Sequence, residues 1–188
     1  MLKLRKGSKV PFPELLSEGY VDEAPYFTAN VGADNLESLL RHFIALHKEY
    51  IFFILELPGV EEGIHTKVYF IDGCTQEKAL EILDKTKKIL LNDGMSAFGF
   101  GCHRTRDEIM VGKYNVVTLF TENAPVFDGF FEKHGIPRVQ ELTTAWDTFT
   151  TDAPGDSFCV ETDGKSIYDI PDLLKDDGIY LAQQKEGN

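Results

Sequence analysis

The sequence feature that most constrains the fold is a run of eight residues, YIFFILEL, at 50–57. A helix that crosses a membrane needs about 20 mostly apolar residues, and this run stops at Pro58. Its β-branched and aromatic side chains favour a strand over a helix. We therefore predict that 50–57 is a central strand of a sheet, and we expect no membrane-spanning segment.

Helical and strand patterns alternate around this run. Asp34 and Glu37 stand at capping-box spacing, and apolar residues follow at helical intervals, which predicts a helix over 35–48. The residues 66–71 predict a second strand, antiparallel to the central one because the connection is short. Thr75 is placed to cap a second helix.

The second half of the chain carries further signals. The segments 97–104 and 108–121 favour extended structure and predict a hairpin. A helix is predicted over 125–134, and the Asp-Gly pair at 163–164 is typical of a two-residue turn between strands. Residues 179–182 are predicted to form an edge strand.

The order of these elements predicts an α+β fold with an antiparallel or mixed sheet and helices packed mainly on one face. Residues 1–33 hold three of the eight prolines and no sustained periodicity. We expect them to be an extended lead-in packed on the core. Residues 34–188 are expected to form a single α+β domain, because a chain of 188 residues suits one core.

The balance of acidic and basic residues limits the classes of function that we expect for this chain. The chain has 19 Lys plus Arg against 31 Asp plus Glu, a formal charge of −12. Such a protein repels phosphate backbones, so we expect no direct nucleic-acid binding. Acidic residues outnumber basic ones from Asp147 onward, which makes this end a candidate docking surface for a basic protein, although solubilising surface charge is the more common explanation.

Cysteine and histidine spacing gives no sign of a metal site or a cofactor. Three widely spaced cysteines without a CxxC pair indicate reduced thiols, and the start of the chain lacks the pattern of a secretory leader. We therefore expect a cytoplasmic protein without metal or cofactor. Cys102 and His103 are adjacent, and adjacent side chains of a strand face opposite ways, which argues against a catalytic dyad.

A predicted partner-binding site surrounds Trp146, the single tryptophan. Aromatic anchors ringed by polar groups are typical of interface hot spots, although a lone tryptophan more often belongs to the core. Trp146 and Phe149 are the apolar anchors of this hypothesis. The acidic residues that would steer a cationic partner are Asp147, Asp152 and Asp156.

A second candidate site is the segment FGFGCHRTR at 98–106. If it is extended, Arg104 and Arg106 project from the same side of a strand and both reach one phosphate or carboxylate, with His103 beside them. The alternative is that the glycines permit close packing and the arginines pair with nearby acids. The Gly-x-Gly spacing alone does not predict a nucleotide site.

Our first functional hypothesis is a non-enzymatic acidic binding protein that docks a basic protein partner, in an inhibitor or immunity-type role. The alternative is a small enzyme or ligand-binding protein that holds an anionic ligand through His103, Arg104 and Arg106. An interaction module that uses an edge strand is a third possibility. No residue is assigned a catalytic role.

Overall fold

The structure, a computed structural model, describes residues 1–186. Its strands are Ser8–Lys9 (β1), Gly19–Glu23 (β2), Tyr26–Asn30 (β3), Ile51–Pro58 (β4), Ile64–Cys74 (β5), Ala97–Cys102 (β6), Asp107–Val111 (β7), Val116–Phe120 (β8), Asp156–Ser157 (β9) and Tyr180–Glu186 (β10). Its α-helices are Ala33–Ala45 (α1), Gln76–Leu90 (α2), Ala145–Thr148 (α3) and Ile170–Leu173 (α4).

Within this range, eight strands form one sheet in the order β10-β5-β4-β6-β7-β8-β3-β2, and β1 pairs with β9. Every neighbouring pair of the sheet is antiparallel. β4 lies in the interior of the sheet, between β5 and β6, and β10 lies at one edge. The predicted central strand, its antiparallel neighbour and the edge strand near the C-terminal end are confirmed.

The two long helices, α1 and α2, pack against each other and against one face of the sheet, which we call the helix face. Side chains of β4 alternate between the two faces. Phe53 and Leu55 point to the helix face and are 0% exposed, whereas Phe52 and Ile54 belong to a separate apolar cluster on the opposite face. The α+β class, with helices on one face of an antiparallel sheet, is confirmed.

The long helices begin in different ways. The Thr75 side chain accepts a hydrogen bond from the Lys78 backbone N–H at the start of α2, as predicted. α1 begins earlier than predicted, after Gly32, and Asp34 does not cap it. The Asp34 carboxylate instead binds Lys3 Nζ at 2.7 Å, because the N-terminal segment lies beside the start of the helix.

The prediction of one extended segment over 108–121 is wrong in detail. The chain turns between β7 and β8 at Tyr114 and Asn115, which both have positive φ. Asn115 is completely buried, and its amide donates a hydrogen bond to the carbonyl oxygen of Val31 at 2.8 Å. This tertiary contact stabilises a left-handed pair that local propensity does not predict.

The helix predicted over 125–134 is also wrong. Two short 3-10 turns, Ala124–Phe127 and Glu132–His134, stand in its place. Gly129 between them has φ 68°, which interrupts a continuous helical hydrogen-bond ladder. The aromatic side chains that suggested a helix are nevertheless buried on the helix face.

The hairpin predicted around Asp163 and Gly164 forms only as a turn. Both residues have positive φ, as a type I′ turn requires, and Thr162 and Lys165 form an isolated antiparallel bridge. No longer strand follows, because Ser166 and Asp169 form a capping box that starts a 3-10 turn.

The first 33 residues contribute directly to the sheet, since β2 and β3 lie among them. β3 pairs with β8, and β2 forms the edge opposite β10. Pro25 lies in the turn between β2 and β3, which explains why no sustained periodicity is visible in the sequence. Arg5 is 1% exposed and donates to backbone carbonyls of Leu90 and Gly112, so this segment is anchored in the interior.

Candidate functional site

The face of the sheet opposite α1 and α2 is the main candidate surface, and we call it the open face. Its apolar cluster, on β4, β5 and β7, contains no helical residue among those described. The members of the cluster are Phe52, Ile54, Val68, Phe70 and Met110. Phe70 and Met110 are partly exposed, and Thr118 and Tyr26 on neighbouring strands are exposed. Apolar surface is therefore accessible on this side of the sheet.

Aromatic side chains extend across the open face. The ring of Phe52 lies 5.6 Å from that of Phe70 and 4.6 Å from that of His103. Tyr26 and Phe120, on β3 and β8, form a second aromatic pair at 5.1 Å. Side chains opposite each other on adjacent strands belong to one row, which explains why such distant sequence positions meet.

Gly101 makes room for this arrangement. It pairs with Phe52 across β4 and β6, and a Cβ atom at this position would lie 2.1 Å from the Phe52 ring. A Cβ at Gly99 would lie 1.9 Å from the carbonyl oxygen of Ile109. These glycines therefore permit close packing, which is the alternative that the sequence analysis gave for the segment 98–106.

A cavity of about 540 Å³ lies at one end of the open face. We call it the Glu108 cavity. Its lining residues are Tyr26, Phe52, Cys102, His103, Arg106, Asp107, Glu108 and Phe120.

Glu108 is distinctive among these residues. It pairs with Gly101 on one side and with Phe120 on the other, so its side chain lies on the open face. Among the residues that the structure describes, no hydrogen bond or ion pair engages its carboxylate. Burial, and secondarily the charge of Glu56, raise the pKa of Glu108 above its ordinary value. Glu56 itself binds Lys185 Nζ at 3.3 Å.

His103, Arg104 and Arg106 do not lie on an extended strand, in contrast to the arrangement considered from the sequence. They occupy the turn between β6 and β7, and Arg106 has φ 59°. This turn gives the three side chains separate carboxylate partners. Nitrogen–oxygen distances are 2.7 Å for His103–Asp72, 3.0 Å for Arg104–Glu49 and 3.1 Å for Arg106–Glu122.

The contacts of Asp72 strengthen this pairing. Burial opposes its ionisation, but hydrogen bonds from His103 and Tyr180 lower the pKa of Asp72 below its ordinary value. Arg104 also lies over the ring of Tyr50, at 5.4 Å. An anionic ligand at His103, Arg104 and Arg106 would therefore compete with carboxylates that already bind these side chains.

The region predicted to bind a partner is centred on α3. Trp146 is 52% exposed and contacts Tyr114 and Phe149 edge-on, at 4.9 and 5.5 Å between ring centroids. It is an exposed aromatic residue with a buried support rather than a core residue. Phe149 is partly buried and packs against a second small apolar cluster, whose buried members are Leu2, Leu16, Tyr114 and Ala145.

The three aspartates of that hypothesis have different surroundings. The Asp147 carboxylate accepts hydrogen bonds from the backbone N–H and hydroxyl of Thr144, which lower its pKa. Asp152 is exposed. Asp156 stands opposite Lys9 in the β1–β9 ladder. A basic residue thus lies close to one member of this acidic group, and another member is used to cap α3.

One interaction that sequence reasoning missed is a buried pair of His47 and Asp107, with Nε2 and Oδ2 2.9 Å apart. Burial opposes the ionisation of Asp107, but the contact with His47 contributes to a pKa below the ordinary value; the second carboxylate oxygen, Oδ1, has no hydrogen-bond partner in the described part of the chain. The other ring nitrogen, Nδ1, bonds the carbonyl oxygen of Phe43 at 3.0 Å. Both nitrogens are engaged, so His47 has none free to activate the nearby thiol of Cys102.

Part of the Glu108 cavity can be inferred from residue alternation in the sequence. Glu108 and Met110, and likewise Thr118 and Phe120, alternate with buried residues on predicted strands. This alternation indicates that they share one face. Which strands are neighbours depends on the topology, and the meeting of Phe120 with Tyr26 is visible only in the fold.

Over residues 1–186, no group of three or more His, Cys, Asp or Glu side chains is arranged to hold a metal ion. None of the helices in that part of the chain combines the length and apolar character needed to cross a membrane.

Comparison of the chain with protein-family models, with curated proteins and with solved structures finds no match.

Proposed function

We propose that this chain is a non-enzymatic binding protein that docks a basic protein partner on its open face. The observation that supports this function best is the coexistence of accessible apolar side chains and acidic side chains on one broad sheet surface. Phe70 and Met110 provide apolar contact area, while Glu23 and Glu108 lie on the same side of the sheet. An inhibitor or immunity-type role fits such a surface, since docking blocks the basic region of the partner.

The overall charge supports a basic partner. A chain with formal charge −12 attracts cationic surfaces and repels anionic ones. Electrostatic attraction of this kind accelerates association, and burial of apolar side chains slows dissociation. We therefore expect an affinity that decreases steeply with salt concentration.

The test is affinity capture with the full chain, followed by purification of each captured protein and a measurement of its affinity by calorimetry. Thr118→Arg adds a cation at an exposed position of the open face. Ala45→Arg adds the same charge at an exposed position of α1 and serves as the matched control. We expect Thr118→Arg to weaken binding at least tenfold and Ala45→Arg to change it less than threefold.

The proposal is supported only if the captured protein is basic, its affinity falls with salt, and Thr118→Arg selectively weakens it. Failure to obtain such a protein contradicts it. Trp146→Ala is measured in parallel. If Trp146→Ala weakens binding and Thr118→Arg does not, the docking surface is the region around Trp146 and the assignment to the open face is wrong.

The alternative function, an anionic ligand held by His103, Arg104 and Arg106, has its own test. A ligand that binds only the folded state raises Tm, and this effect is lost when its site is removed. Inorganic phosphate and a nucleoside triphosphate are suitable probes. Because Asp72, Glu49 and Glu122 already bind these three side chains, we expect neither probe to raise Tm by more than about 1 °C at 5 mM. A larger rise that Arg104→Ala abolishes would establish the alternative.

A further inference from the structure

We infer that the Glu108 cavity receives an arginine side chain of the partner, with the Glu108 carboxylate as counter-ion and aromatic rings as walls. This inference rests on the proposed function and names the group that the open face recognises. Three properties of the cavity support this inference: the unpaired carboxylate of Glu108, the aromatic rings beside it, and the pairing of the other charged side chains of the lining with partners within the fold.

The aromatic walls stand on both sides of Glu108. In one row across the sheet, Phe52 faces Gly101, Gly101 faces Glu108, and Glu108 faces Phe120. Because adjacent strands are about 4.8 Å apart, these side chains lie within a few strand spacings of each other. Gly101 has no side chain, so the ring of Phe52 covers the gap between Phe52 and Glu108. Tyr26 continues the wall beyond Phe120.

The basic residues of the cavity lining, Arg106 and His103, already bind acids. Arg106 binds Glu122 and His103 binds Asp72. Asp107 is paired with His47 on the helix face of the sheet. Glu108 is therefore the charged side chain of the cavity lining for which the described part of the chain provides no ionic partner. A ligand that complements this cavity carries a positive charge.

A guanidinium group matches this combination better than an ammonium group does. It is planar, it binds a carboxylate through two parallel N–H···O bonds, and it stacks on aromatic faces. It is also less strongly hydrated than an ammonium, so that transfer into a partly apolar cavity costs less. A cation over an aromatic ring adds a further attraction, which increases as water is excluded.

The experiment is a titration of the full chain with N-acetyl-arginine methylamide, followed by NMR of the backbone amides. N-acetyl-citrulline methylamide has nearly the same shape without the charge, and N-acetyl-lysine methylamide has the charge without the planar group. We expect millimolar binding of the arginine probe, with shifts centred on Glu108, Phe52 and Phe120. The citrulline probe should bind at least tenfold more weakly, and the lysine probe several-fold more weakly.

Glu108→Gln keeps the size of the side chain and removes its charge. We expect this variant to bind the arginine probe at least tenfold more weakly than the wild type does. Glu77→Gln is the matched control, because Glu77 is an exposed acid on α2, on the opposite side of the sheet. Folding of both variants is checked from their amide spectra. Binding that Glu108→Gln leaves unchanged, or equal affinity for the citrulline or lysine probe, overturns the inference.

This result is distinguishable from failure of the proposed function. If Thr118→Arg abolishes docking of a basic protein but Glu108→Gln does not change the affinity for the arginine probe, the docking function stands. The inference that the Glu108 cavity binds an arginine side chain is then rejected. If Glu108→Gln abolishes probe binding but no basic protein docks on the open face, the cavity binds guanidinium and the proposed function is rejected.

Discussion

Asp107 and Glu108 are neighbours in the sequence, yet they lie on opposite faces of the sheet and have opposite properties. Asp107 points to the helix face, where it is 3% exposed and bound to His47. Glu108 points to the open face and has no ionic partner among the described residues. The first has a lowered pKa and the second a raised one. The two adjacent carboxylates thus lie in different environments: Asp107 has a histidine partner within the fold, and Glu108 has no such partner among the described residues.

The same contrast applies to the apolar side chains of β4. Phe53 is 0% exposed and packs on Phe100 at 5.4 Å in the main core. Phe52, the preceding residue, belongs to the small cluster on the open face. Residues of the helix face stabilise the fold, whereas the partly exposed members of the open-face cluster, Phe70 and Met110, are available for contacts outside it.

The largest expected effect is on the helix face. Phe53→Ala removes a fully buried ring from between the sheet and the helices, and we expect it to lower the free energy of unfolding by about 4 kcal/mol. Phe70→Ala, on the partly exposed cluster, should cost less than half as much, because less apolar surface returns to water. Urea unfolding followed by circular dichroism measures both. Equal losses would mean that the open face is as essential to the core as the helix face.

The buried pair of His47 and Asp107 gives the next largest effect. Asp107→Asn removes the carboxylate that binds His47 Nε2 in the interior, and we expect the free energy of unfolding to fall by about 2 kcal/mol at pH 7. Because the folded state lowers the pKa of Asp107, its ionised form stabilises the fold above the unfolded pKa, about 3.9, and this contribution disappears as pH falls through the folded value.

The difference in stability between the wild type and Asp107→Asn should therefore narrow in acid. Urea unfolding between pH 3 and 7 measures it. Thr86→Val removes the buried hydrogen bond from the Thr86 hydroxyl to the carbonyl oxygen of Ile82 without removing a charge, and serves as a control with a smaller, less pH-dependent loss. A difference for Asp107→Asn that does not depend on pH would show that the carboxylate is not ionised in the fold.

Sequence patterns predict the fold to the extent that local signals determine it. The apolar run at 50–57 and the Thr75 cap depend on neighbouring residues, and both predictions are confirmed. The predictions that are wrong involve residues whose conformation depends on distant contacts. Asn115 adopts positive φ while its amide binds Val31, and the aromatic residues after Pro125 are buried without forming a helix.

The candidate sites were less accessible to sequence reasoning. The segment 98–106 indicates His103 and Arg106 because it brings an imidazole and two guanidinium groups close together, but their acidic partners, Asp72 and Glu122, come from other parts of the chain. The Glu108 cavity combines side chains from β3, β4, β7 and β8. Alternation assigns a residue to a face, but the order of strands decides which residues of that face meet.

The smallest expected effect has the opposite sign and concerns Glu108 itself. Because the folded state raises the pKa of Glu108, ionisation of this carboxyl destabilises the fold, and the loss develops as pH rises from the unfolded pKa, about 4.3, through the folded value. Glu108→Gln should therefore raise Tm by about 2 °C at pH 7 and leave it nearly unchanged at pH 4, where the wild-type carboxyl is protonated. Differential scanning calorimetry at the two pH values measures this change in Tm, with Glu77→Gln as the control.

A decrease in Tm at pH 7 would mean that Glu108 has a stabilising partner within the fold, and would remove the contrast with Asp107. The unpaired charge of Glu108 lowers the stability of the free protein until a partner supplies a cation. We therefore expect Glu108→Gln to be more stable than the wild type and to bind the arginine probe more weakly, as is typical of a residue whose role is binding.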